Sequence, residues 1–367
     1  MASDGHSIVF AGGGTGGHLY PALVVAAALR EALGDGTDIT FIGAHRGIEQ
    51  RLVPQAGYPL VSLRISGLKG RGIAAKLGAA ATAGWAVVRC WFWMRRRRPD
   101  LVVGVGGYAS GPAVLAAGWS RVPTMLMEQN HFPGATNRWL SPRARVVCVP
   151  SEDAKQRFGG IGIVTGNPVR AAFFASGDLP LGERLSVLVF GGSRGARSIN
   201  HAMAAIVERL GQLDVPPQIV HQTGEADAES ARAAACDYPE GLYQVHPFLD
   251  DMPARLAASD LVVCRAGAST LSELTAAGRP AILVPYPHAA DDHQRHNAES
   301  IAKVGAARVV TDNELGDGRL AGVLEELLAD REELRRMGAA ARGLAKPDAT
   351  GRIVELARGL LEGTHVP

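Results

Sequence analysis

Three short stretches hold the residue types that could do chemistry. Gly12, Gly14 and Gly17 in 12-GGGTGGH-18 follow an apolar run with G-x-G-x-x-G spacing. Such a turn carries a strand into a helix and can aim backbone N–H groups at a phosphate, or can serve tight packing alone. A dinucleotide site also wants an acid at the end of the next strand, where this chain has Ile42-Gly43-Ala44-His45. That disfavours NAD and leaves anion binding open. His18 falls in the first helical residues, as a candidate general base or a capping histidine. In the second half, Gly191-Gly192-Ser193 offers a backbone nest and a hydroxyl suited to a diphosphate. Neither loop contains G-x-x-x-x-G-K-[ST], so a P-loop ATPase is excluded. Thr270-x-x-Glu273 reads either as a capping box or as a carboxylate for vicinal ribose hydroxyls. The run 288-HAADDHQRHNA-298 tempts a metal assignment through His293 and His296, but it lacks H-E-x-x-H, and no Asp-x-Asp occurs in the chain. It reads as a polar, sugar-facing helix start, with no metal and no cofactor.

A fourth stretch is physical rather than catalytic. Residues 50–99 carry ten Lys/Arg and no acid, including Arg89 and Arg95, Arg96, Arg97 and Arg98, interleaved with Ile73, Leu77, Trp85, Trp91, Phe92 and Trp93. That mixture suits a helix lying on an anionic bilayer, where each nearby cation contributes about 1 kcal/mol. The alternative is a solvated helix end whose apolar face packs in the core. Nucleic acid is a third option, without any recognised module to support it. Leu77–Met94 is apolar except for Arg89. Spanning takes about 20 apolar residues and a central arginine costs about 2.5–3.5 kcal/mol, so a peripheral helix is expected. The charge is split to match: residues 1–150 hold 16 Lys/Arg against 7 Asp/Glu, and residues 151–367 hold 22 against 29. The first half is the one to meet something anionic.

The elements that must position these residues follow from the apolar runs. Ile8–Ala11, Asp38–Gly43, Tyr58–Ile65, Leu101–Val105, Thr124–Met127 and Val146–Val149 alternate with helical patterns and are continuous rather than alternating. Strands of that kind are buried on both faces, as in a parallel α/β sheet. After Gly166-Asn167-Pro168 and a polar stretch near Ser176–Glu183, the pattern restarts at Ser186–Phe190. The halves also repeat: 99-PDLVVGVGGYASGP-112 matches 259-SDLVVCRAGASTLS-272 at an offset of 160. At 367 residues and 47% apolar the chain is long enough for two cores. The expected architecture is two doubly wound α/β domains facing a cleft, residues 1–165 and 166–346, with ligands at the carboxyl ends of the strands. Cys90, Cys148, Cys236 and Cys264 form no Cys-x-x-Cys pair and are expected to be reduced thiols of a cytoplasmic protein.

The stretches 13-GGTGGHLYPA-22, 66-SGLKGRG-72, 104-GVGGYASGP-112, 128-EQN-130, 166-GNPVR-170, 191-GGSRGAR-197, 248-FLDDM-252, 263-VCRAGASTLSE-273 and 293-HQRHNA-298 run in order through nearly the whole chain. Together they resemble the MurG family of peptidoglycan N-acetylglucosaminyltransferases, which has the two-domain GT-B fold. The resemblance implies inverting, metal-independent transfer of N-acetylglucosamine from UDP-N-acetylglucosamine to the C4 hydroxyl of undecaprenyl-pyrophosphoryl-N-acetylmuramyl-pentapeptide (lipid I), giving lipid II at the cytoplasmic face of the membrane. Carried over, Arg170 and the backbone at Leu249 hold uracil, Glu273 binds the ribose, and Ser193 contacts the diphosphate. Asn130, Gln294 and the turn Ala268, Ser269, Thr270, Leu271 and Ser272 orient the sugar. Thr15, Gly16 and Gly17 border the sugar and the acceptor diphosphate. His18 is the candidate base and Glu128 the reserve. The family also implies that the final helix, within 347–367, returns to the first domain. A UDP-N-acetylglucosamine 2-epimerase or a non-catalytic, membrane-associated nucleotide-sugar binder are the competing readings.

Overall fold

A computed structural model describes residues 5–65, 73–192 and 195–364, and for residues 73–80 only the backbone. The chain divides into two compact units, Met1–Val169 with Asp348–Pro367, and Arg170–Pro347. The motif 66-SGLKGRG-72 lies outside the described residues.

In the first unit, strands β1 (Ser7–Ala11), β2 (Asp38–Ala44), β3 (Leu60–Leu63), β4 (Leu101–Gly104), β5 (Thr124–Met127), β6 (Val146–Val149) and β7 (Ile163–Val164) form one sheet in the order β3-β2-β1-β4-β5-β6-β7. Every pairing is parallel. In the second unit, β8 (Ser186–Phe190), β9 (Gln218–Gln222), β10 (Tyr243–His246), β11 (Leu261–Cys264), β12 (Ala281–Leu283) and β13 (Ala307–Val309) form a parallel sheet in the order β10-β9-β8-β11-β12-β13. Both are the doubly wound 3-2-1-4-5-6 arrangement, the first with one added edge strand. The matched segments 160 residues apart become β4 and β11, which hold the same place in their sheets.

The continuous apolar runs have the physical cause expected of them. Along β1, Ile8 and Phe10 face one core cluster while Val9 and Ala11 face another, so no position is left for a polar residue. The first cluster includes Leu19, Ala22 and Val25 of the helix Gly16–Leu33, and also Ile353, Val354 and Ala357 of the last helix, Ala349–Leu361. In the second unit Val187, Val189, Leu261 and Val263 pack under Ile199 and Met203 of the helix Arg197–Gly211 and Leu320 and Leu324 of the helix Arg319–Ala329.

One sequence expectation changes. The strand expected over Tyr58–Ile65 is only Leu60–Leu63, because Pro59 has no N–H to give the ladder and offers only its carbonyl, to Phe41 N–H. The polar stretch Ser176–Glu183 is fastened to the second unit. Arg279 and Arg342 donate to carbonyls at Ser176, Gly177 and Asp178, and Arg331 to those of Leu181, Gly182 and Glu183. Among the described residues no helix is long and apolar enough to cross a membrane. The four cysteines are free, with Cys236 exposed and the others buried.

Candidate active site

In each sheet the strand order reverses beside the first strand, and the loops leaving β1 and β4, or β8 and β11, open at that point. The loop after β1 differs from a simple phosphate cradle. Gly12 N–H donates to Ile42 O, Gly13 N–H to Gly106 O and Gly14 N–H to Glu49 Oε2 (2.9 Å). The glycine amides are therefore spent on holding the loop to its neighbours. The helix that follows starts at Gly16, behind Thr15, an extended N-cap whose hydroxyl makes no capping bond.

Glu49, at the start of the helix Glu49–Gln55, was not singled out by sequence reasoning. It is 1% exposed, and its carboxylate accepts from Gly14 N–H and from Ala44 N–H (2.7 Å). A Cβ on Gly13 would come within 2.8 Å of the Glu49 carboxyl carbon, so the glycine there makes room for an acid. Only the folded chain brings Gly13, Gly14, Ala44 and Glu49 together, and no linear spacing announces it.

His18 is the third residue of its helix and is half-buried, with Nδ1 2.8 Å from Gln129 Oε1. Glu128, the reserve base, has a different job. Its Oε1 accepts from Gln129 N–H, Asn130 N–H and Asn130 Nδ2, and its Oε2 from Gly134 N–H and Asn137 Nδ2. A buried carboxylate taken up by five donors organises the loop after β5 and fixes the Asn130 amide.

In the second unit, Arg170 lies with its guanidinium 4.9 Å over the Phe173 ring, beside Glu273. The helix Ala268–Ala277 has Gly267 as its N-cap. Thr270 is therefore its third residue and Glu273 its sixth, which removes the capping-box reading. Burial pushes the Glu273 carboxyl up to about 7, with Arg170 pulling the other way. Ser272 Oγ donates back to Ala268 O at 2.9 Å. Leu249 is buried in the turn before the helix Met252–Ala257. Gln294, the second residue of the helix His293–Ala302, accepts from Tyr286 N–H through Oε1 (3.0 Å), which leaves its NH₂ to donate. Asn297 of the same helix donates to Ala266 O, joining the helix to the loop that leads into Ala268. Ser193 lies outside the described residues.

Arg265 is a second residue that sequence reasoning missed. Its guanidinium donates to Val284 O, Pro285 O, Asp312 and Ser198 Oγ, tying the ends of β11 and β12 to the start of the helix Arg197–Gly211. Among the described residues, no three His, Cys, Asp or Glu side chains converge on one point.

The basic stretch becomes the helix Ile73–Arg97. Ala86, Val87, Cys90 and Met94 face the core, while Trp85 (70% exposed), Arg89, Phe92 (55%) and Arg95–Arg98 face outward. Trp91 and Trp93, read from sequence as membrane contacts, are half-buried and pack against that core, with Arg95 stacked 5.0 Å over Trp91. The side chains of Ile73 and Leu77 are not described. Trp119, at the end of the neighbouring helix Ser110–Trp119, is 63% exposed and was not anticipated.

Two doubly wound units in one chain, each with loops at its switch point and neither with a P-loop, define a two-domain α/β protein of the kind that takes ligands at the carboxyl ends of its strands. More narrowly, the chain belongs to glycosyltransferase family 28, whose N-terminal domain matches residues 8–149 and whose C-terminal domain matches residues 186–353. A UDP-N-acetylglucosamine–N-acetylmuramyl-(pentapeptide) pyrophosphoryl-undecaprenol N-acetylglucosamine transferase of Syntrophotalea carbinolica is 44% identical, over 96% of this chain and 98% of that protein. One of the same name from Moorella thermoacetica is 43% identical, over 95% and 97%. Among solved structures, Acinetobacter baumannii MurG superposes with a TM-score of 0.78 at 33% identity, covering 96% of this chain and 99% of that one.

Proposed function

We propose that this protein transfers N-acetylglucosamine from UDP-N-acetylglucosamine to N-acetylmuramyl-(pentapeptide) pyrophosphoryl-undecaprenol, lipid I, forming lipid II with inversion and without an essential metal. The observation that carries the reading is identity above 40% along nearly the full length of relatives that bear this activity in their names. The second unit takes the donor: Arg170 and the backbone at Leu249 hold uracil, Glu273 accepts from the ribose hydroxyls, and the Ala268–Ser272 turn and the Gln294 amide orient the sugar. Ser193 and its glycine neighbours meet the diphosphate. The first unit takes the acceptor diphosphate at the Thr15–Gly17 helix start, with Asn130 on the sugar.

Direct displacement then needs one proton removed and one leaving group stabilised. His18 takes the proton of the C4 hydroxyl; the new C–O bond forms at the anomeric carbon as the bond to UDP breaks, and UDP departs with the electron pair. Helix-start amides stabilise the charge that grows on the diphosphate. A positioned base contributes about 10²- to 10⁴-fold, so His18→Ala is expected to cut kcat by that order with little change in donor KM. Full kcat in that variant would remove the base assignment. The outward face of Ile73–Arg97, with Trp85, Arg89, Phe92 and the terminal arginines, docks the first unit peripherally on the anionic cytoplasmic leaflet, where the lipid-linked acceptor lies.

The deciding experiment incubates the pure protein, in EDTA, with radiolabelled UDP-N-acetylglucosamine and a short-chain lipid I analogue. Label is expected in the lipid fraction. A lipid-independent sugar product would point to a 2-epimerase, binding without turnover to a non-catalytic binder, and loss restored by magnesium would overturn the metal-free chemistry.

A further inference from the structure

Beside His18 stands a residue with no role so far. Gln129 is 1% exposed and fully engaged. Its Nε2 donates to Met127 O (3.2 Å), its backbone O accepts from Asn167 Nδ2 (2.8 Å), and its backbone N–H donates to Glu128 Oε1 (3.1 Å). Turning the side-chain amide over would set Oε1 against Met127 O, two acceptors with no proton between them, so the amide has one orientation. Oε1 is therefore the atom that faces His18 Nδ1 at 2.8 Å, and only a protonated Nδ1 can bond to it.

We propose that Gln129 is a positioning residue for the transfer: it holds His18 as the Nδ1–H tautomer and so keeps the lone pair on Nε2 for the incoming hydroxyl. This deepens the reading of His18 as base and rests on it. A free histidine side chain prefers the opposite tautomer, with the proton on Nε2, which could donate to a hydroxyl but could not deprotonate it. The packing agrees. A Cβ on Gly106 would stand 3.0 Å from both Nδ1 and Cε1 of His18, so that edge of the ring is held between Gly106 and Gln129. The ring as a whole is half-buried.

The test reads the tautomer directly. In protein labelled with ¹⁵N-histidine, the His18 ring signals are identified as those missing from His18→Gln, and ¹H–¹⁵N correlation at a pH where the ring is neutral reports which nitrogen carries hydrogen. Wild type is expected to show Nδ1 protonated and Nε2 bare. Gln129→Leu is expected to move the ring toward Nε2–H and to lower kcat about 10- to 100-fold, with donor KM within about 2-fold. An Nε2–H ring in wild type, or an unchanged Nδ1–H ring in Gln129→Leu, would overturn the proposal. Full kcat in His18→Ala would overturn the base reading instead, and the tautomer result would stand apart from it.

Discussion

Glu273 shows how one side chain's environment sets a measurable behaviour. Half-buried in the second turn of its helix, it is pushed up to about 7 by desolvation, with Arg170 as the opposing charge. An ionised carboxylate accepts hydrogen bonds from vicinal hydroxyls and a protonated one does so poorly. Donor KM is therefore expected to rise as pH falls from about 8 to 6, by up to about tenfold per unit once below 7. Arg170→Ala, by removing the opposing charge, should move that rise to higher pH, and Glu273→Gln should flatten it; initial rates against UDP-N-acetylglucosamine at each pH check all three. The folding linkage has the opposite sense. Because the folded-state pKa lies above the model-peptide value of 4.5, the folded protein holds more proton between 4.5 and about 7, and Glu273 removes stability as pH rises through that window. From spacing alone, Thr270 and Glu273 fitted a cap and a ligand equally well. The choice needed the helix to begin at Ala268, behind Gly267, and that start is set by where β11 ends.

At the scale of elements, the glycine loop after β1 was legible as a strand-to-helix turn, yet what fills its glycine space was not. Glu49 supplies the acceptor for Ala44 N–H, five residues before it, and for Gly14 N–H, 35 residues before it. Glu49→Gln would turn one acceptor into a donor facing a donor, and stranding a buried N–H costs about 1–3 kcal/mol. The variant is expected to melt earlier by that amount and to lose kcat/KM for the lipid acceptor more than for the donor; an unchanged melting curve would refute the anchoring role. The helix Ile73–Arg97 makes the same point. Its composition announced an amphipathic helix, but period alone did not say which tryptophans face the core. Trp85→Ser with Phe92→Ser is expected to reduce sedimentation with anionic vesicles at unchanged melting temperature, whereas Trp93→Ala is expected to lower stability. Replacing Arg95–Arg98 by glutamate removes four cations at about 1 kcal/mol each near such a surface and is expected to abolish sedimentation. Equal vesicle binding by all three would exclude this face as the membrane contact.

At the scale of the whole molecule, the first unit is closed by residues from the other end of the chain. Ile353, Val354 and Ala357 share a core cluster with Leu19, Ala22 and Val25, so the last helix is part of the first unit's core. Ile353→Ala is expected to cost about 2–5 kcal/mol, read as lost amide protection in β1 and β4 with β8 and β11 unaffected. Uniform loss in both sheets would contradict that assignment. The amino-acid sequence by itself determined the class: continuous apolar runs can only be strands covered on both faces, their alternation with helices makes parallel sheets, and a repeat at 160 residues makes two of them. The motifs in order along those sheets were enough to point to the family. Only the tertiary structure decided which atoms face each other. It gave Glu128 to five donors, set Gln129 against His18, put Glu49 behind the glycine loop, and pinned Ser176–Glu183 under three arginines. Apart from the Glu128 donors, which lie within nine residues of it, these are meetings of residues far apart in sequence. Periodicity records which face of an element is buried and carries no information about which distant side chain will be waiting there.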